Sequence, residues 1–344
     1  MTPFIIPIFL PQMGCPHRCI YCQQEKITRW PRKILEQETF TDLIETGLSS
    51  KRKKDGMKVE IAFFGGTFTN LPIDFQEKVF SWTAPYLEKR KINAIRLSTR
   101  PESLTEEKIN WLWLQGVRSL EIGVQSLNDN VLELSQRGHT AQECIETIKL
   151  LKKYPLGIGV QLMMGLPGDS PESFLETVKQ IISLGPHFVR VYPTLILKDT
   201  PLAQMFAKGE YIPLSLDESV SLASQVLELF EESGIKVIRL GLQDHEGLRP
   251  GMDLIAGPFH PAFGSLVRGE LFLRILIRKL KTDKTLGTSL ILRLAPREGD
   301  YLLGHNKKNL LLLRDELNQT NIQIKIDRQL PPGHWHNEIH SQVV

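Results

Sequence analysis

The sequence predicts an α/β fold: a parallel sheet whose strands are joined by crossover helices, followed by a small α/β accessory domain. Three observations lead there. Six short apolar segments alternate with amphipathic segments of helical period, the pattern of a strand–helix repeat. The apolar segments are nearly continuous, as strands buried on both faces are. After Gln243 the character of the chain changes, becoming rich in glycine, proline and histidine.

The strand segments are Phe4–Leu10, Val59–Phe64, Ala94–Ser98, Ser119–Val124, Ile158–Met163 and Phe188–Tyr192. Between them, Asp74–Lys89, Thr105–Gln115, Ala141–Lys153 and Pro171–Leu184 read as amphipathic helices. Thr140 with Glu143 has capping-box spacing. Ser170 before Pro171 is a second helix start, with proline in the first turn. Residues 244–264 read as a linker or lid. A helix over Ser265–Leu280, a strand over Ser289–Leu294, a loop over 304–309, a helix over Leu310–Asn318 and a strand over Ile322–Ile326 follow. The expected division is thus a core of 1–243, a linker of 244–264 and an accessory domain of 265–344. The basic stretch Ser50–Lys58 reads as solvated loop, with a functional basic patch as the alternative. His334, His336 and His340 read as part of a disordered terminus rather than a metal set.

Composition narrows the function classes. The 344 residues give one large domain and one small one, at about 100–200 residues per domain. With 42 basic and 39 acidic side chains the formal charge is +3, too mild to demand a nucleic-acid partner and no bar to one. No apolar run reaches the roughly 18–20 residues that span a bilayer, so no membrane partner is expected. No basic region precedes the first apolar stretch, so a signal peptide is not expected either.

Chemistry concentrates at Cys15, Cys19 and Cys22, spaced C-x3-C-x2-C, with Tyr21 just before the last thiol. Soft sulfur ligands at this density suit an iron–sulfur cluster or zinc. A closed zinc site wants four ligands. The remaining cysteine, Cys144, is distant in sequence, and His17 inside the loop is cramped between its neighbours. Four cysteines, three of them crowded, do not make a disulfide framework. A four-iron cluster on three cysteines leaves one iron without a protein ligand. Unpaired thiols and an oxygen-sensitive cluster both suggest a reducing cytoplasm.

C-x3-C-x-aromatic-C after an N-terminal strand resembles the signature of the radical S-adenosylmethionine (radical SAM) superfamily. Gly65-Gly66-Thr67-Phe68-Thr69 resembles its glycine-rich motif, Glu121-Ile122-Gly123-Val124-Gln125-Ser126 its "GVQS" segment, and Met164-Gly165-Leu166-Pro167-Gly168 its "GLPG" loop. The motifs stand in the family's order over about the first 245 residues. Thr99-Arg100-Pro101-Glu102, Tyr192-Pro193-Thr194-Leu195 and Leu240-Gly241-Leu242-Gln243 look like segments of elongator catalytic-subunit radical SAM domains. Oxygen-independent coproporphyrinogen oxidase is a more distant likeness.

This resemblance implies a partial (β/α)6 TIM-like barrel with its site at the C-terminal strand ends, and each motif does follow a strand segment. It implies a [4Fe–4S] cluster on Cys15, Cys19 and Cys22. Its open iron is chelated by S-adenosylmethionine, which is cleaved reductively to a 5′-deoxyadenosyl radical that abstracts hydrogen. An electron donor such as flavodoxin or ferredoxin is implied too. Gly65, Gly66 and Thr67, with Thr69 nearby, fall where relatives hold the methionine amino group; an ordinary tight turn is the plainer reading of the glycines. Gln125 offers donor and acceptor to ribose or carboxylate. Arg137 matches an arginine beside the cofactor carboxylate, against a surface salt bridge as the plain alternative. Tyr21 packs by cluster and adenine. Ser98 departs from the family, because many relatives have a ribose-binding glutamate there. Met163 and Met164 line the barrel, while His139 and His187 are structural.

Three functional readings follow. The first is an enzyme acting on RNA, with Lys307, Lys308 and the Ser50–Lys58 loop as phosphate contacts. Against it, the elongator subunit has a longer first cysteine gap and an acetyltransferase domain that finds no counterpart after Gln243, so acetyl-dependent chemistry is not expected. The second is an enzyme acting on a small molecule such as a porphyrin. The third is a non-catalytic metal-binding scaffold.

Overall fold

The structure, a computed structural model, describes residues 3–249, 251–282, 290–304, 307–318 and 321–339. The chain forms two compact units, one of Met1–Ser215 with Phe230–Phe259 and the other of Leu216–Leu229 with His260–Val344. Helix Leu216–Leu229, expected with the core, therefore groups with the C-terminal residues. The expected linker 244–264 is divided between the two units.

In the first unit the elements run β1 (Phe4–Phe9), α1 (Gln24–Thr28), α2 (Gln37–Leu48), β2 (Val59–Phe64), α3 (Ile73–Glu88) and β3 (Ala94–Thr99). Next come α4 (Glu106–Leu114), β4 (Val117–Gln125), α5 (Asp129–Leu134), α6 (Ala141–Leu151), β5 (Gly157–Met164) and α7 (Pro171–Leu184). Then follow β6 (Phe188–Pro193), β7 (Ile196–Leu197), α8 (Pro201–Ala207), the end of α9 (Leu216–Glu232), whose Leu216–Leu229 belongs to the second unit, β8 (Lys236–Leu240) and β9 (Leu254–Ala256). The expected six strands lie in order in a parallel sheet, joined by β8 as a seventh: β1-β2-β3-β4-β5-β6-β8. This is the singly wound, open sheet of a partial (β/α) barrel, with β1 and β8 as its two edges.

Local signals set the helices as read. Thr105 caps α4 by accepting from the Lys108 amide, and Thr140 with Glu143 closes a capping box on α6. Ser170 caps α7 with Pro171 in its first turn. The strands turn successive side chains to opposite faces of the sheet, with register shifts between β3 and β4, β4 and β5, and β6 and β8. Ile8, Ile61, Ile95, Leu120, Ile122, Leu162 and Val191 are fully buried on one face, where each side chain contributes about 1.5–3 kcal/mol. The opposite face differs from the expectation of apolar burial on both sides: Arg96, Ser98, Glu121, Gln161 and Arg190 occupy it.

Part of the stretch expected as a linker or lid packs on the first unit. β9 pairs antiparallel with β7, and Leu248 and Leu254 pack with Leu195 and Leu197.

The second unit adds α10 (Phe263–Thr282), β10 (Leu290–Leu294), α11 (Pro296–Leu303), α12 (Lys308–Leu317), β11 (Ile322–Ile326) and β12 (Trp335–Ile339) to the greater part of α9. Its sheet runs β11-β10-β12. Leu273, Leu276, Leu292, Leu294, Leu302 and Leu313 form its core, with Trp335 packed against them. The C-terminal stretch read as disordered is β12, antiparallel to β10, where it satisfies the ladder groups of a strand that would otherwise end the sheet. Ser289, His305, Asn306 and His340 lie outside the described residues. Lys308, read as a phosphate contact, instead pairs with Asp217 at 2.9 Å.

Candidate functional site

Two loops at the C-terminal ends of β1 and β2 are stitched together by backbone. Leu10 donates to Phe64 O, Gln12 to Gly65 O and Thr67 to Met13 O. Contact is close enough to exclude side chains. A Cβ on Gly66 would stand 2.3 Å from Met13 O, and one on Gly14 2.2 Å from Thr67 O. Gly65 has φ +91, in the left-handed region that favours glycine. The glycines therefore fix how the cysteine loop leaves the barrel, which is more than an ordinary turn requires.

That loop presents Cys15, Cys19 and Cys22 as free thiols to one cavity of about 1120 Å³. Tyr21, Gly65, Gly66, Thr67, Ser98, Gln125 and Arg137 line the same cavity, as does Met163. Met164 is fully buried on the other face of β5. Thr67 meets Cys15 Sγ at 3.4 Å. Thr69 is turned away, its hydroxyl bonded to that of Thr99.

Arg137 is the centre of the arrangement. It is buried and makes no salt bridge among the described residues. Its guanidinium donates to Cys19 Sγ at 3.1 Å, to the Tyr21 hydroxyl at 3.2 Å and to Gly123 O. Gly123 leaves it room: a Cβ there would lie 3.2 Å from Arg137 and 3.1 Å from the Gln125 amide. The β4–β5 ladder is irregular between Ile122 and Gln125, and Gln125 takes φ +70, a strained conformation for a non-glycine residue. A bulge of this kind re-aims a side chain at a strand end.

Sequence reading missed the support behind Cys19. Arg100 reaches its sulfur at 3.8 Å. Glu102 grips Arg100, and His139 Nδ1 lies 3.0 Å from the other Glu102 oxygen. Burial works against ionising Cys19, but Arg137 and Arg100 outweigh it and hold the thiol below its usual value. Burial, together with the charges of Cys19 and Cys15, pushes Cys22 up to about 12. Against burial, His139 and Arg100 hold Glu102 down to about 2. Burial also lowers His139, which favours its neutral form. His187 is structural, accepting from the Ile158 amide.

The zinc reading lacks a fourth ligand. Cys144 is fully buried in α6. His17 packs its ring where a Gly138 Cβ would be. Among the described residues no three His, Cys, Asp or Glu side chains are gathered as around a single ion. Five polar atoms of residues lining the cavity, Gln23 Oε1, Ser98 Oγ, Arg100 Nη2, Arg137 Nε and His245 Nδ1, are buried without a hydrogen-bond partner. Buried polar groups are otherwise nearly always paired, so a ligand is needed to complete them.

Comparison with known proteins agrees with this architecture. The chain is 29% identical over 234 residues, 65% of its length and 71% of the relative's, to an uncharacterized protein of Methanocaldococcus jannaschii. It is 30% identical over 187 residues to the tRNA uridine(34) acetyltransferase of Methanocaldococcus infernus, a match of 48% of this chain and 35% of that one. The structure of Methanocaldococcus infernus Elp3 with an N-terminal deletion superposes with a TM-score of 0.59 at 21% identity, covering 82% of this chain and 65% of that one, a likeness of fold. The family model of the radical SAM superfamily matches residues 9–181, and that of the radical SAM C-terminal domain residues 186–272. The chain belongs to the radical SAM superfamily.

Proposed function

We propose that Cys15, Cys19 and Cys22 hold the [4Fe–4S] cluster used by enzymes of this superfamily, that S-adenosylmethionine lies against Gly65, Gly66, Thr67, Ser98, Gln125, Arg137 and Tyr21, and that the substrate is an RNA. When bound, cluster and cofactor supply a 5′-deoxyadenosyl radical. The protein's part is to bind, orient and exclude water. The observation that carries the reading is the meeting of three free thiols with the unpartnered Ser98 Oγ and Arg137 Nε in one cavity.

The residues fit the group they are to hold. The guanidiniums of Arg137 and Arg100 at Cys19 stabilise a thiolate, the form that ligates iron. Gly65 and Gly66 bare their backbone to a ligand. Ser98 has a free hydroxyl for a ribose, short of the charge a glutamate supplies. Tyr21 is held flat by Arg137 and the apolar residues around it, including Leu166, Ile196 and Leu202.

RNA is favoured by the name of the acetyltransferase relatives and by the cavity wall, where Arg18, Arg29, Arg32 and Arg239 form no ion pair among the described residues. A small reduced donor such as flavodoxin or ferredoxin, and a cytoplasmic setting, complete the proposal. No helix among the described residues is long and apolar enough to cross a membrane.

Anaerobic reconstitution with iron and sulfide tests the core of the reading. We expect a cubane electron-paramagnetic signal and release of 5′-deoxyadenosine on reduction, both lost in Cys15→Ala, Cys19→Ala and Cys22→Ala. Stoichiometric zinc in the anaerobic protein would overturn it. For RNA, affinity should fall steeply with salt as counter-ions are released; a flat response rejects an RNA substrate.

A further inference from the structure

The inner face of the first unit's sheet carries a charge imbalance that points to a ligand. Arg96 donates from Nε and one terminal nitrogen to Glu60, at 2.9 and 2.8 Å, and from the other to Glu121 at 3.0 Å. Arg190 grips Glu121 with two bonds of 2.7 and 3.0 Å. These two guanidiniums thus have two carboxylates between them. A third, Arg239, is the register partner of Arg190 on the neighbouring strand β8. It is half-buried and lines the same cavity. Its hydrogen bond goes to the neutral Gln243 at 3.3 Å, and it forms no ion pair among the described residues.

Like charges side by side on adjacent strands repel. Arg190 has Glu121 to offset its charge, whereas Arg239 has no carboxylate partner among the described residues, and an anion seated against Arg239 would supply one. The planar fork of a guanidinium matches phosphate oxygens two at a time. Farther out on the cavity wall stand Arg18 and Arg29, both exposed. Such a gradient favours a ligand bearing several negative charges over a lone carboxylate.

We propose that Arg239, backed by Arg190, is the anion-recognition site of this cavity, and that its ligand is a phosphate group of the substrate. The proposal deepens the RNA reading and rests on it for the phosphodiester; a free phosphate ester shares the same chemistry.

The test uses the reconstituted full chain with two probes, inorganic pyrophosphate and a short single-stranded RNA, titrated over a range of salt. The variants are Arg239→Gln, Arg239→Lys and, as a remote cation on the exposed side of α6, Lys149→Gln. One charge-assisted contact is worth about 1.5–3 kcal/mol, so Arg239→Gln should weaken the probes about 10- to 100-fold. It should also reduce the salt slope by about one counter-ion. Arg239→Lys should recover part of the loss, and Lys149→Gln should match the wild type. Pyrophosphate should raise the melting temperature of the wild type and leave that of Arg239→Gln unmoved, which also reports whether the variant is folded. Should Arg239→Gln not fold, Arg239→Lys still decides, because a lysine lacks the fork and must bind measurably weaker. RNA bound with unchanged affinity and slope by Arg239→Gln overturns the proposal and leaves the RNA reading standing. Pyrophosphate bound through Arg239 while RNA is ignored supports the anion site and rejects the RNA reading. If the wild type binds neither probe, the anion site is rejected.

Discussion

Replacing Glu121 by glutamine tests the charged interior directly. The carboxylate is 1% exposed and accepts from Arg96, twice from Arg190 and, at 3.4 Å, from Gln161. Glutamine keeps the shape and one acceptor oxygen but turns an amide N–H₂ toward the donors that held the other. About two charge-assisted bonds are lost, at about 1.5–3 kcal/mol each. Arg96 then keeps Glu60, while Arg190 is left without a carboxylate. Removing one partner of a buried ion pair leaves an uncompensated charge, at a cost of about 3–5 kcal/mol, and the two estimates agree.

The assay is urea unfolding followed by tryptophan fluorescence, since Trp30, Trp82, Trp111 and Trp113 report on the first unit and Trp335 on the second. At a slope of about 3 kcal/mol/M, the midpoint of the first unit should fall by about 1–1.5 M, with the Trp335 signal unchanged. Adding Arg190→Met to Glu121→Gln should restore part of the loss, because the stranded guanidinium goes with it, and the double-mutant cycle should show coupling above about 1 kcal/mol. A midpoint shift under about 0.3 M, or strict additivity, refutes the reasoning.

Other consequences are open to measurement. Gly66→Ala forces a methyl against Met13 O and Leu10 O; overpacking of about 1–3 kcal/mol should lower both the melting temperature and the iron bound on reconstitution, and full iron loading would contradict the close-approach argument. Glu102 is held below its ordinary 4.5 to about 2, so the stability it contributes is complete above pH 4.5 and is lost as pH falls toward 2. Discounted for partial exposure, the loss is about 1–2 kcal/mol, and it should vanish in Glu102→Gln. His139 is lowered from 6.5 by burial, so the unfolded chain takes up its proton first and stability starts to fall below pH 6.5; His139→Gln should remove that upper part of the melting profile. Arg137→Met leaves the Tyr21 hydroxyl and Gly123 carbonyl without their donor, at about 1–3 kcal/mol for each group; a melting temperature equal to wild type would show that the guanidinium is dispensable to the fold.

Strand positions and helix caps could be read from the sequence because each depends on neighbours a few residues apart. Val59–Phe64 was apolar enough to declare itself, and Thr140 announced its helix through Glu143. The cavity residues could be named because their motifs follow strands whose ends converge in a barrel. The charged floor could not be. Arg96 within AIRLST, Glu121 within VRSLEIGVQ and Arg190 within FVRVYP are polar residues scattered through largely apolar runs; only strand register makes them neighbours. The Arg100–Glu102–His139 chain was hidden for the same reason, its histidine lying 37 residues from its carboxylate. β8 escaped because KVIRL is short and begins on an exposed lysine.

Register also explains why the departure at Ser98 is tolerable. Ser98 is paired with Glu121 across β3 and β4, so the two side chains share the inner face. A glutamate at 98 would set a second carboxylate beside one whose oxygens are already bonded to Arg96 and Arg190. In a buried setting two such carboxylates cannot both ionise without another cation. Arg239 is the cation left over, yet it stands three strands away from β4, beside Arg190 rather than beside Ser98. The small hydroxyl therefore spares Glu121 a like-charged neighbour. Because β1 and β8 are edges that do not pair with each other, Arg239 sits on the rim of an unclosed barrel.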